Sequence, residues 1–188
     1  MSFPSHDLTS APEESKPQLE AAQKAYGTIP GLYKVLSESP QAYQAYNALH
    51  QLFTATAFDA EELTVVWQSI NVEHGCHYCV PAHSGIAKSM KVADEITEAL
   101  RNETPLPSPK LEALRTFTVQ MVRERGNVTD AQMQAFFDAG YGHRAVLDVI
   151  LGLSQKTISN YVNHVAKTPV DAMFEPLKWE RSTTPLAV

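Results

Sequence analysis

Helix start signals recur along this chain, and no segment alternates apolar and polar side chains for long enough to make a strand. Ser39-Pro40 and Ser108-Pro109 each set an N-cap hydroxyl before a proline suited to the first helical position. Asp59 is followed three residues later by Glu62, a capping-box pattern, and Thr129 stands before the run Asp130 to Asp138. Behind Ser39, the residues Tyr43, Tyr46, Leu49, Leu52 and Phe53 repeat at helical spacing; behind Ser108, Leu111, Leu114, Phe117 and Met121 do the same. Gly27, Gly126 and Gly140 stand where helices close, and Gly75 breaks the pattern that runs from Leu63 to about Glu73. Further helices are expected over 17–26, from Cys76 or His77 to about Met90, over 92–101, and from about Arg144 to Lys167, with a short apolar segment at 32–36 and a Pro-rich linker at 104–109. The expectation is an all-α domain of about eight helices with short connections.

A chain of 188 residues suits one domain. We read it as residues 17–188, behind a flexible N-terminal arm, residues 1–16, whose Pro, Ser and Glu content favours solvation. Phe174 and Trp179, beyond the last long helix, are expected to pack on the body or on a neighbouring subunit. No apolar run approaches the roughly 20 residues of a membrane span. The N-terminus has neither the basic nor the apolar segment of a signal peptide, so a cytoplasmic location is expected. Lys and Arg number 15 against 21 Asp and Glu, a net charge of −6, which leaves no cationic excess for nucleic acid. Neither a nucleic acid nor a membrane is expected as partner.

The two cysteines stand three positions apart in the run Glu73-His74-Gly75-Cys76-His77-Tyr78-Cys79-Val80-Pro81-Ala82-His83. On a helix starting near Cys76, the side chains of Cys76, Cys79 and His83 fall within roughly 60° of one another. A helix N-terminus lowers a thiol pKa, and the thiolate is the reactive form. His77 and His83 offer positive charge or a base, and Glu73 and Glu62 are the nearest carboxylates to orient a histidine or take its proton. These are the parts of a dithiol redox centre, in which one sulfur attacks and the other resolves it as a disulfide. Position at the helix start favours Cys76 as the first to react, while His83 one turn away favours Cys79. Competing readings are an inert structural pair, a dithiol that senses without turning over, and a metal held among His74, Cys76, His77, Cys79 and His83. A thioredoxin-like setting is disfavoured because its strands are missing.

The run Cys76-His77-Tyr78-Cys79-Val80-Pro81-Ala82-His83, with apolar Leu63 to Val72 before it, resembles the AhpD-like branch of the carboxymuconolactone decarboxylase family. The 32–40 entry and the stretch from Thr157 to His164 are similar to that family's peroxidase-related members. The resemblance implies an AhpD-like helical bundle, a homo-oligomer (trimer or hexamer), and reduction of alkyl hydroperoxides through the cysteine pair. An external dithiol would restore that pair, and neither cofactor nor metal would be needed. Cys76, Cys79 and His83 match the motif. The family's relay glutamate falls at Thr64, so Glu73 is expected to replace it, with Glu62 as the alternative. His77, Tyr78 and His164 are further candidates for the relay or pocket, whereas His50, His143, Tyr43, Tyr46 and Tyr161 read as packing residues.

Overall fold

Each local start signal becomes a helix. The Ser39 hydroxyl accepts from the Ala42 amide at 3.3 Å, and the Ser108 hydroxyl accepts from the Leu111 amide at 3.4 Å. Capping boxes close at Asp59/Glu62 and at Thr129/Gln132. The computed structural model describes residues 3–181 and contains α1 (Lys16–Tyr26), α2 (Gly31–Leu36), α3 (Pro40–Thr54), α4 (Ala60–Glu73), α5 (Cys79–Ser89), α6 (Asp94–Arg101), α7 (Pro109–Arg123), α8 (Asp130–Asp138) and α9 (His143–Ala166). Short 3-10 turns lie at Glu13–Ser15 and Ala172–Leu177, and no strand occurs among the described residues. None of these helices is long and apolar enough to cross a membrane.

α4 is the axis of the bundle, packed by α5, α6, α7 and α9, and every residue from Glu62 to Val72 is buried. Surrounded on all sides, it needs no polar face. The larger core joins Trp67, Phe53, Phe117 and Phe136, the last two stacked at 4.0 Å between centroids. α9 crosses this core at Gly152, where an added Cβ would lie 2.7 Å from Phe53 Cε2 and 3.0 Å from Val66 Cγ1. A smaller core gathers Leu19, Leu32, Leu36, Tyr43 and Tyr46 around Cys76, Tyr78 and Cys79.

The segment expected to be a flexible arm is packed from His6 onward. The His6 amide donates to the Lys34 carbonyl at 3.0 Å, Ala11 is buried, and the Ser15 hydroxyl donates to the Ser37 carbonyl at 2.8 Å. Composition alone misses this, because one alanine and a few specific hydrogen bonds hold the segment down. The C-terminal segment packs on the body. Trp179 Nε1 donates to the Arg101 carbonyl at 2.8 Å, and the Arg101 guanidinium donates to the carbonyls of Leu177 and Lys178 at 3.1 Å each. Phe174 lies against Gly85 so closely that a Cβ there would collide with its ring.

Candidate active site

α4 ends on a left-handed residue, Gly75 at φ +66°, and the Cys76 amide closes the helix by donating to the Asn71 carbonyl at 2.9 Å. The same residue opens the next helix. The Cys76 carbonyl accepts from Val80 N at 3.1 Å, and its sulfur accepts from Cys79 N at 3.2 Å, the role a serine plays at an N-cap. Regular helix begins at Cys79, three residues later than the earliest expected start, but the first bond of the ladder already reaches back to Cys76.

Both cysteines are free and buried, in different company. The Cys79 sulfur accepts from Asn163 Nδ2 at 3.3 Å. Burial pushes the Cys79 thiol up, but the Cys76 hydrogen bond, the Lys156 ammonium and the amides of Asn163 and Asn160 outweigh it and bring the thiol down to about 6. For Cys76 the hydrogen bond to Cys79, burial and the charge on Cys79 all act in the other direction and keep it a thiol. The balance favours a thiolate on Cys79 beside a thiol on Cys76. Alkylation of Cys79 by iodoacetamide is expected to rise with pH through a midpoint near 6. A midpoint at about 8 or above would show the thiolate to be unassisted. Since the folded thiol lies below its ordinary 9.0, thiolate formation stabilises the reduced fold at high pH, and that contribution is lost as pH falls through about 6.

His83, one turn along α5 from Cys79, accepts at Nε2 from Lys156 Nζ at 2.9 Å, and its ring lies 4.9 Å from that of Trp67. Burial, then the Lys156 and His50 charges, hold the imidazole well below its usual pKa, so it stays neutral. With Nε2 accepting, the ring proton sits on Nδ1, a buried atom without a hydrogen-bond partner. Lys156 is 1% exposed; burial pulls its pKa down and the charges of Cys79 and Cys76 oppose that.

Neither expected carboxylate reaches this group. Glu62 is committed to its capping box, to Lys110 at 2.9 Å and to the Tyr141 hydroxyl at 3.1 Å. Glu73 faces α7, where Arg123 donates to its two oxygens at 2.9 and 3.0 Å and Arg181 adds a second cation. Thr64, at the resemblance's relay position, is buried and donates to the Ala60 carbonyl at 2.8 Å. Nearness in sequence was misleading because α4 turns these side chains away from α5. Glu73→Gln is accordingly expected to leave turnover within about twofold and to cost under about 1 kcal/mol of stability, as partly exposed ion pairs do. A tenfold loss of turnover would return Glu73 to the chemistry.

His77 donates to the Thr168 carbonyl at 3.0 Å, and His74 donates to Asn160 Oδ1 at 2.8 Å. His164 lies near both, and burial together with the His77 and His74 charges lowers its pKa. Among the described residues, no three His, Cys, Asp or Glu side chains converge as a metal ion requires. The Tyr78 hydroxyl donates to Asp171 Oδ2 at 2.6 Å and accepts from Leu32 N at 3.2 Å, pinning the C-terminal segment and α2 to the cysteine turn. A cavity of about 430 Å³ opens beside this turn. Cys79, His83 and Lys156 line it together with aromatic walls that include Tyr33, Tyr46 and Phe174; Cys76, Glu62, Glu73, His77 and His164 do not.

An uncharacterized peroxidase-related protein from Ralstonia eutropha JMP134, an alkylhydroperoxidase AhpD core, has the same architecture: TM-score 0.80 over 92% of this chain and 93% of that one, at 18% identity. The chain has the AhpD fold. A peroxidase-related protein from Silicibacter sp. TM1040 matches with TM-score 0.77 and 17% identity over 93% of this chain and 95% of that one. A cysteine-to-alanine variant of the debrominase Bmp8, in complex with 2,3,4-tribromopyrrole, matches with TM-score 0.75 and 14% identity over 94% and 95%. No family model matches the sequence, and no curated protein does.

Within this AhpD fold, the residues that complete the candidate site and that sequence reading missed lie on α9. Gln155, Lys156, Ser159, Asn160 and Asn163 are all buried. The signal was present: polar residues recur at helical spacing on one face, while the opposite face carries the exposed Leu147, Ile150, Tyr161 and Val165. An inverted amphipathic helix of this kind marks a buried polar site.

Proposed function

We propose that the protein is a thiol-dependent peroxidase for organic hydroperoxides, with Cys79 as the sulfur that attacks and Cys76 as the one that resolves. The observation that carries this reading is that Cys79 alone of the pair lines the cavity, as the residue whose thiol is brought down to about 6. The Cys79 thiolate displaces an alcohol from the hydroperoxide and becomes a sulfenic acid; Cys76 then condenses with it, releasing water and forming the disulfide. An external dithiol returns both electrons. The apolar, aromatic walls favour a substrate with a sizeable organic group over hydrogen peroxide. The cycle suits a reducing compartment such as the cytoplasm. A homo-oligomer, trimer or hexamer, belongs to the same proposal, and the exposed apolar stripe of α9 is a surface that fits it.

A second reading, removal of a halogen from an aromatic ring by the same dithiol, is favoured by the aromatic walls and by the debrominase of the same fold. Thiol titration before and after one equivalent of cumene hydroperoxide tests the first reading. Two thiols are expected to disappear and to return with a dithiol, and excess dihydrolipoamide is expected to sustain turnover. Loss of both thiols without sustained turnover leaves a sensor, and survival of both thiols removes the peroxidase reading. A halogenated pyrrole in place of the hydroperoxide tests the second.

A further inference from the structure

Lys156 is a basic group with no carboxylate near it. It is almost fully buried, its one hydrogen bond among the described residues goes to a neutral imidazole, and no Asp or Glu lines the cavity it faces. The Cys79 thiolate is the counter-charge available to it. An amine in this position is costly to bury, and its place beside a reacting sulfur gives it a task.

On the peroxidase reading above, we infer that Lys156 is the acid of the reaction: its ammonium proton reaches the departing alkoxide through His83, and the resulting amine takes the proton of the Cys76 thiol. In the first step the O–O bond breaks, Cys79 sulfur gains the terminal OH, and the alkoxide leaves. His83 Nδ1–H, the buried donor without a partner, gives its proton to that alkoxide while Nε2 takes one from Lys156 across the 2.9 Å bond. The products are an alcohol, a sulfenic acid and a neutral lysine. In the second step the neutral amine removes the Cys76 proton, the Cys76 sulfur displaces hydroxide from the Cys79 sulfenic acid, and the lysine proton converts that hydroxide to water. The cysteine pair is oxidised by two electrons and the hydroperoxide is reduced by two. Thiolate plus ammonium at the start and disulfide plus amine at the end are both neutral overall, so the buried centre never holds an unbalanced charge. A carboxylate relay would instead place a negative charge beside the thiolate.

The test separates proton delivery from thiolate stabilisation by using two electrophiles in single turnover across pH. Iodoacetamide loses iodide, which needs no proton; cumene hydroperoxide loses an alkoxide, which does. For Lys156→Met, the alkylation midpoint is expected to rise, and above it the alkylation rate is expected to return to within about threefold of the unmodified protein. The hydroperoxide rate is expected to stay down by about 100-fold or more, the usual size of general-acid assistance. Lys156→Arg keeps the charge but holds its proton too firmly to give it up. It is expected to keep the low midpoint while losing the hydroperoxide rate, which also covers the case of Lys156→Met failing to fold. Recovery of the hydroperoxide rate alongside alkylation in Lys156→Met, or normal peroxide reduction by Lys156→Arg, would overturn the inference. If the unmodified protein is alkylated but inert to hydroperoxide, the peroxidase reading itself fails and takes the inference with it.

Discussion

Replacing Cys79 with serine is expected to lower hydroperoxide consumption by at least about 1,000-fold, as removal of an enzyme nucleophile does. Replacing Cys76 is expected to behave differently. Cys76→Ser keeps the attacking sulfur, its place on the cavity and its bonds to the α9 amides. One equivalent of hydroperoxide should therefore still react, and the product should stop at a sulfenic acid that a dimedone probe can trap. Rapid-mixing measurement of one equivalent, followed by mass spectrometry, reads both results. The burst in Cys76→Ser should be slower than in the unmodified protein at neutral pH, because the Cys76 hydrogen bond helps to hold the Cys79 thiolate. A full burst in Cys79→Ser together with none in Cys76→Ser would reverse the assignment of the two sulfurs.

Trp67→Ala is expected to cost about 3–5 kcal/mol of folding stability, in the range of other large aromatic deletions from cores. The ring is 1% exposed, meets Phe53 at 5.2 Å between centroids, and stacks on His50 at 5.7 Å. Its Nε1 donates to Gln155 Oε1 at 2.8 Å, so the truncation also strands a buried amide oxygen. For a domain of this size the loss corresponds to a fall of about 10 °C in melting temperature. Calorimetry of the reduced protein measures it, and a fall below about 3 °C would mean that the bundle closes over the gap. Trp67→Phe retains most of the buried area and loses only the hydrogen bond, so it should cost about 1–2 kcal/mol. Either change takes support from His83, whose ring the indole touches.

The helix boundaries were legible because a cap is a local event: Ser39, Asp59, Ser108 and Thr129 each find their backbone partner within three residues. The cysteine pair and His83 were legible for a related reason, since one helical turn sets their spacing. What completes the site lies far along the chain. Lys156 meets His83 across 73 positions and Asn163 meets Cys79 across 84, and no spacing rule reaches that far. The choice between the two sulfurs was open for the same reason. Exposure at the helix start argued for Cys76, but its sulfur is turned inward to cap the helix, and the cavity instead meets Cys79. The carboxylates Glu62 and Glu73 were misplaced because adjacency along α4 says nothing of which neighbour each side chain faces.

Gly152 gives the lysine its reach. α9 is pressed against Phe53 and Val66 at that position because no side chain stands between them. One helical turn later, on the same side, comes Lys156, and an aliphatic chain of fixed length must then span from the α9 backbone to His83 Nε2. A methyl group at Gly152 would need roughly 1 Å more room to reach ordinary van der Waals distance from Phe53. The 2.9 Å bond between amine and imidazole is made across this same close approach of α9 to the core. Gly152, a residue with no side chain, therefore helps set the spacing between the Lys156 amine and the His83 imidazole.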